Sequence, residues 1–464
     1  MGHAEAQSIA PARGAAIRAE TARSLGARIG RGELRVAEVA EAYLARIAEA
    51  EAGVRAFAWH DPGFVRHQAA ELDRYRASGR PVGRLHGVPV ALKDIIDTAR
   101  IPTENGTALD RGRVPVADAW IVTRLKAEGA LILGKTVTTE LAYLHPGPTA
   151  NPAAPGHTPG GSSSGSAAAV AAGMTPLAIG TQTGGSVIRP AAYCGVAGFK
   201  PSFGAIPRTG ILRQSGTLDT VGVFARDAED CALLADALFG HDPADPATAP
   251  APAPRLYETA CSAPPVTPTL AFVEMPGWAD AHEDTRGAFA ELAGLLGDRC
   301  WQTPLPRAFD DAAALRERIN FAEMAHAYHR YDRADADLSP ETRAALDAGR
   351  AVTAKDYLAA MDWQRVLRAG IAEILERADA ILCPAAPGPA PEGLGSTGSA
   401  IFNGLWTWLG LPAITLPLLQ SQAGLPIGVQ LVGRPGDDAR LLRTAAWLDT
   451  TLAQPEADAP WPTR

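Results

Sequence analysis

The chain has 464 residues, with 43 lysines and arginines against 51 acids for a net charge of −8, and 47 % of it is hydrophobic. That length can bury a large core. The mildly acidic balance without a basic block argues against nucleic acid or an anionic membrane as the main partner. Five cysteines, Cys194, Cys231, Cys261, Cys300 and Cys383, are odd in number and far apart, with no C-x-x-C pair. Neither a disulfide framework nor a thiolate zinc site is indicated.

Arg13, Arg18 and Arg23 among alanines faintly resemble a transit segment, but Glu5 and Glu20 interrupt it. No run reaches the ~20 apolar residues of a membrane span. The expectation is a soluble, cytoplasmic protein.

In chain order, Val36, Val39, Ala40, Tyr43, Leu44 and Ile47 follow the i, i+3, i+4, i+7 spacing of an amphipathic helix. A second helix is predicted over 65–77. Residues 87–92 read as a short buried strand that delivers Lys93 at its end. Residues 117–128 read as a helix, and Ala130, Leu131, Ile132 and Leu133 as a buried strand. Gly129 to Thr136 matches the G-x-x-x-x-G-K-[ST] pattern letter for letter. Its four central residues are themselves the apolar strand, so they cannot form a phosphate loop, and nucleotide binding is not expected.

Two glycine–serine clusters follow, at residues 160–166 and 184–186, flanking the small-residue run 167–173. Such clusters are usually linkers. Here they pass into apolar segments through Val170, Leu177, Ile179, Val187 and Ile188, so the loops belong to a packed core. The Ala-rich run reads as a short helix whose free N–H groups point back at the serines. Residues 241–268, rich in Pro and Ala, read as a semi-extended surface connection. A strand over 269–274, helices near 282–296, 310–331 and 340–377, strands at 381–384, 413–416 and 427–432, and a closing helix over 437–452 complete the chain. Strands alternating with helices imply an α/β fold whose sheet is covered on both faces. The later strands are expected to complete the first sheet, so residues 1–464 are read as one domain. Its parts are a helical segment to about 80, a core over 85–225, the Pro/Ala-rich connection, and residues 269–464.

A serine hydroxyl is a poor nucleophile until something takes its proton. None of the ten histidines sits in a triad-like motif; His157, His326 and His329 read as structural. A lysine can serve as base only when neutral, which requires burial to lower a pKa of ~10.4. By spacing alone Lys93 fits a buried base and a solvated surface charge equally.

The run GGSSSGSAAAVAAG, then GTQTGGSVIRPAAYCGVAGFKPSFG, with GVPVALKD upstream, strongly resembles the amidase-signature family of serine hydrolases. The likeness is dense from Leu85 to Gly222, returns at 381–389 and 424–433, and is weak over 241–380. The resemblance implies a large mixed sheet and a metal-free, cofactor-free serine amidohydrolase. Ser186 matches the acyl-forming nucleophile and Lys93 the base. Ser162, 24 residues before Ser186, matches the bridging serine, whose peptide bond with Gly161 is cis. Backbone N–H groups of Thr183, Gly184, Gly185 and Ser186 would form the oxyanion hole, while Ser163, Ser164 and Ser166 would be hydrogen-bonding scaffold.

Two departures matter. Gln182 stands where the family commonly has Asp, and the arginine after the nucleophile is three residues on, at Arg189, as in the malonamidase subgroup. Arg189 would there hold a substrate carboxylate; a structural arginine capping backbone carbonyls fits the sequence as well. Gly161, Tyr143, Phe402 and Trp406 are further candidates for substrate contact, although aromatics spaced like 402, 406 and 408 more often belong to a core.

The expected activity is cleavage of small linear or aryl amides through an acyl-enzyme, extending to carbamates and esters, and rising toward alkaline pH. The alternatives are a malonamate-type amidase using Arg189, and an amidotransferase subunit that works only within a partner complex. The expected partners are a small-molecule amide and, on base rates, a second copy of the chain, with no nucleic acid and no membrane.

Overall fold

The computed structural model describes residues 10–333 and 336–453; Glu5 lies outside them. Eleven strands run in chain order as β1 (Phe57–His60), β2 (Pro89–Lys93), β3 (Leu131–Thr136), β4 (Leu177–Gln182), β5 (Ala197–Lys200), β6 (Thr220–Ala225), β7 (Leu270–Glu274), β8 (Cys300–Pro304), β9 (Ala380–Pro384), β10 (Ala413–Gln420) and β11 (Pro426–Val432). All join one sheet in the order β1-β3-β2-β4-β6-β5-β10-β11-β9-β7-β8. The sheet is mixed. β3, β2 and β4 run parallel, as do β9, β7 and β8, and the strands between β4 and β9 pair antiparallel. Strands after the Pro/Ala-rich connection therefore pair directly with strands before it, through β10 on β5.

Alternation along the strands sorts residues between two faces. Val90 and Leu92 of β2 and Leu177 and Ile179 of β4 join the core beneath helix Ala228–Leu238 and helix Asp438–Ala453. Ala91 and Ala178 face the opposite core, which contains Leu25, Tyr43, Leu44 and the Ala167–Val170 run. Small residues on that face let helix Ser164–Ala171 lie close against the sheet. The amphipathic helix continues beyond its apolar stripe to Val36–Val54 and ends at Arg55, which takes a left-handed φ of 53°.

The 340–377 segment divides into helices Pro340–Ala351 and Ala354–Leu375, because Thr353 caps the second by accepting the N–H of Asp356. Helix Ala312–Ala327 packs against both of them. Glu140 ties down the start of helix Pro340–Ala351: its carboxylate accepts from the N–H and hydroxyl of Ser339 and from the Thr342 hydroxyl. The Pro/Ala-rich connection contains a short helix, Leu256–Ala260, that buries Leu256 in the core, and Asp245 within it receives the Arg208 guanidinium. Among the described residues no helix is long and apolar enough to cross a membrane.

Candidate active site

Strands β2 and β4 are parallel neighbours with Leu92 opposite Ile179, so their C-terminal ends, Lys93 and Thr181–Gln182, emerge side by side. Ligands in α/β sheets gather at such strand ends. Lys93 is fully buried, its Nζ 2.7 Å from Ser162 Oγ and donating to Thr181 Oγ1 at 2.9 Å. Burial brings the Lys93 ammonium down to about 7, against the opposing pull of the Asp219 carboxylate. Of the two expectations for this lysine, the surface charge is thereby removed.

Two further lysines are equally buried. Lys135, in the stretch that mimics a phosphate loop, lies within β3; its Nζ donates to the Ile96 carbonyl at 2.7 Å and sits 3.4 Å from Asp94. Burial lowers Lys135 to about 8 and raises Asp94 to about 6. Lys200 donates to the carbonyls of Leu411 and Pro201, and burial takes it down to about 7.

The peptide bond between Gly161 and Ser162 is cis. Ser163, Ser164 and Ser166 donate to the carbonyls of Thr181, Val137 and Ile179, and Ser166 also meets Thr136 Oγ1 at 2.7 Å. These hydroxyls stitch the serine loop to the ends of β3 and β4.

The second cluster forms a turn between β4 and helix Ile188–Cys194. Ser186 is 8 % exposed, and its Oγ makes no hydrogen bond with Ser162 Oγ among the described residues. The N–H groups of Thr183, Gly184, Gly185 and Ser186 donate to no acceptor among those residues. Gly185 is required by close approach: a Cβ there would lie 2.4 Å from Asn403 Oδ1. Thr183 Oγ1 donates to Asp219 Oδ1 at 2.6 Å, and the other Asp219 oxygen accepts the N–H groups of Gln214 and Ser215.

Gln182 clasps this turn. Its Oε1 accepts the N–H groups of Val187 and Ile188 at 2.8 and 3.0 Å, and its Nε2 donates to Thr407 Oγ1, which donates to the Gly184 carbonyl. The amide therefore caps a helix that has no other side-chain cap. Gln182→Leu leaves two buried N–H groups and Thr407 without their partner, and is expected to cost about 2–5 kcal/mol of stability. A urea melt checks this; an unchanged midpoint would refute the clasp.

A cavity of about 580 Å³ opens in front of Ser186, lined by Tyr143, Thr183–Ser186, Arg189, Gln214 and Arg316 among others. Leu141 and Ala142, both in the left-handed region (φ 47° and 58°), present Tyr143 to it, and Tyr328 fixes the bend by donating to the Leu141 carbonyl. Arg189 forms part of the wall, but its two terminal nitrogens donate to the carbonyls of Gly398 and Gly161 at 2.8 and 2.7 Å. Those two nitrogens are thus engaged by backbone, while its Nε is buried without a hydrogen-bond partner among the described residues. Gly161 does not line the cavity; its carbonyl is taken by Arg189, and a Cβ on it would press on Thr397. Phe402 and Trp406 are wholly buried in the core with Trp408, and the wall is made instead by their neighbours Ile401, Gly404 and Leu405. All five residues of helix Gly404–Trp408 are buried, and its two tryptophans pack into the core. Thr181, Gln182, Asp219 and Arg316 were not among the sequence-based candidates.

The family model described as Amidase matches residues 38–442. The chain is 35 % identical to a glutamyl-tRNA(Gln) amidotransferase subunit of Thermus thermophilus, over 95 % of this chain and 98 % of that one. It superposes with a TM-score of 0.86 and 29 % identity on a chain from a vestigial protein complex tied to the origins of an s-triazine catabolic enzyme, covering 93 % of this chain and 98 % of that chain. It also superposes on peptide amidase from Stenotrophomonas maltophilia with a TM-score of 0.79 and 28 % identity, covering 95 % and 99 %. The expectation that a small-molecule amide and a second copy of the chain are its only partners is overturned by the first of these relatives, which points to other protein subunits. A protein alike from end to end is a subunit of an assembly named for a tRNA. Net charge reports only on this chain's own surface, so it could not exclude such an assembly. A matching model over most of its length, and relatives alike over nearly all of it, place this chain in the amidase-signature family.

Proposed function

We propose that the chain cleaves a carboxamide C–N bond through an acyl-enzyme on Ser186, and that it does so as the amide-hydrolysing subunit of a larger amidotransferase assembly. The observation that carries the chemistry is Lys93 Nζ, fully buried and 2.7 Å from Ser162 Oγ. Neutral above about pH 7, Lys93 takes the Ser162 proton while Ser162 takes that of Ser186. Ser186 Oγ bonds to the carbonyl carbon, and the oxygen gains the electron pair of the C=O bond. The four unpaired N–H groups of Thr183 to Ser186 would receive that charge; one such donor is worth ~2.7–4 kcal/mol in other serine hydrolases. The tetrahedral species collapses with loss of the amine, which takes a proton back along the relay. Water then attacks the ester by the same route, releasing the acid and restoring Ser186.

End-to-end likeness to an amidotransferase subunit supports the assembly half of the reading. The backbone carbonyls held by both terminal nitrogens of Arg189 speak against a malonamate-type role for that residue. Carbamates and esters present the same carbonyl and are expected side substrates. The test is ammonia release from glutamine and from simple primary amides, by the chain alone and by the complex recovered with a tagged full-length chain from its native host. Glutamine turnover by the complex and little by the chain alone is expected. Equal turnover by the chain alone would overturn the assembly half, and inertness of both would overturn the hydrolase.

A further inference from the structure

Lys93 and Asp219 are both buried, and neither forms a direct ion pair among the described residues. Lys93 Nζ meets only hydroxyls, Ser162 Oγ and Thr181 Oγ1. The Asp219 carboxylate accepts from Thr183 Oγ1 and from the N–H groups of Gln214 and Ser215. Burying an ion is costly unless it is hydrogen-bonded and its charge balanced. The fold supplies the balance. Gln182 pairs with Thr220 at the end of the β4–β6 ladder, which brings Asp219 opposite Thr183. A second cavity of about 280 Å³ adjoins the first, sharing Thr183 and Gln214 with it. Thr181, Thr183 and Asp219 all line it, whereas Asp219 does not line the cavity in front of Ser186.

The other charges nearby are matched elsewhere. Arg208 is held by Asp245, Glu323 accepts from Thr217 and Tyr357, and Asp94 lies beside Lys135. Arg213 also lines the second cavity but is exposed, so water screens it. Tyr328 donates to the Leu141 carbonyl, and burial keeps it protonated. Burial pushes the Asp219 carboxyl up, and its hydrogen bonds from Thr183, Ser215 and Gln214 pull it back. Asp219 is the charge that favours the Lys93 ammonium against burial.

We propose that Asp219 is a positioning residue for acyl transfer, an anion beyond the Thr181 and Thr183 hydroxyls that balances the ammonium formed at Lys93 while fixing Thr183 of the nucleophile turn. The inference rests on the reading of Ser186 as nucleophile and Lys93 as base. Asp219 makes no hydrogen bond to Lys93, so it offsets the charge without taking the proton. Lining only the second cavity, it acts on kcat and on the pH dependence rather than on KM.

The test is Asp219→Asn, which can keep every hydrogen bond: its amide oxygen accepts the two N–H groups and its Nδ2 donates to Thr183 Oγ1. Only the charge is removed. The chain has five lysines, Lys93, Lys126, Lys135, Lys200 and Lys355. Full-length protein carrying carbon-13 at lysine Cε therefore gives a few resonances to titrate, and that of Lys93 is the one lost in Lys93→Met. In Asp219→Asn the Lys93 midpoint should fall by at least about half a pH unit, short of the ~1–3 units of a direct ion pair, while Lys135 and Lys200 stay in place. In the complex recovered with a tagged chain, kcat for glutamine should fall about tenfold with KM within about twofold, and the acid limb should move down with the resonance. An unmoved Lys93 midpoint overturns the proposal, as does a fall shared by all three buried lysines or a moved midpoint with unchanged kcat. If Asp219→Asn does not melt cooperatively, Asp219→Ser, equally neutral, is read against the same outcomes. A moved midpoint in protein that turns over no amide, alone or in its complex, would sink the hydrolase reading and leave the coupling of the two charges standing.

Discussion

Ser186→Ala is expected to lower amide turnover by at least about 10⁴-fold, the scale seen when a serine hydrolase loses its nucleophile. The side chain sits at a turn where a methyl group fits without displacing anything, so the loss is chemical. The informative readout is the intermediate. Wild-type protein quenched during turnover of a slow ester should carry the acyl mass on the peptide containing Ser186, and hydroxylamine should release it as the hydroxamate. Alanine at 186 should show neither. An acyl mass on the Ser162 peptide instead would exchange the roles of the two serines.

The second large effect belongs to the base. Lys93→Met keeps the length and removes the amine, and kcat/KM is expected to fall by about 10²–10⁴-fold. The sign of the pH dependence distinguishes this from mere disruption. With its amine at about 7, Lys93 is an ammonium without a lone pair at lower pH and neutral at higher pH. Wild-type kcat/KM should therefore climb through neutrality and level off. The climb should vanish from whatever activity Lys93→Met retains. A wild-type rate that falls above neutrality would remove Lys93 as the base.

Lys93, Ser162 and Ser186 were singled out through the family resemblance, because the motifs that carry it are local: a lysine ending an apolar strand, and serines between glycines. The residues that hold them could not be. Gln182 reaches Thr407 and Asp219 reaches Thr183 only because β4, β6 and the 404–408 turn meet in space, and nothing in their own neighbourhoods announces it. Arg316 lies in a helix whose mixed charge reads as an ordinary solvated face, until the sheet is folded beneath it. In the fold, strands with continuous apolar runs, β2, β3 and β7, were plain. β5 and β6 were not, since a glycine in each, Gly198 or Gly222, breaks the apolar pattern. The aromatics at 402 and 406 lie in the core, the reading their spacing favoured over contact with substrate.

The three buried lysines have a calorimetric consequence. In the folded chain Lys93 and Lys200 lose their protons at about 7 and Lys135 at about 8, whereas a solvated lysine keeps its proton to ~10.4. Between neutrality and the point near ~8.5 where exposed thiols ionise, the unfolded chain binds more protons than the folded one. Stability therefore rises with pH in that window and is lost as pH falls back through the folded values. Above it, the buried thiols of Cys194 and Cys383, pushed up by burial, oppose the trend. Each unfolding event near pH 8 should draw protons from the buffer, so the heat of unfolding should be larger in Tris, whose ionisation is strongly endothermic, than in phosphate. Identical heats in the two buffers would mean that the lysines keep their charges inside the fold.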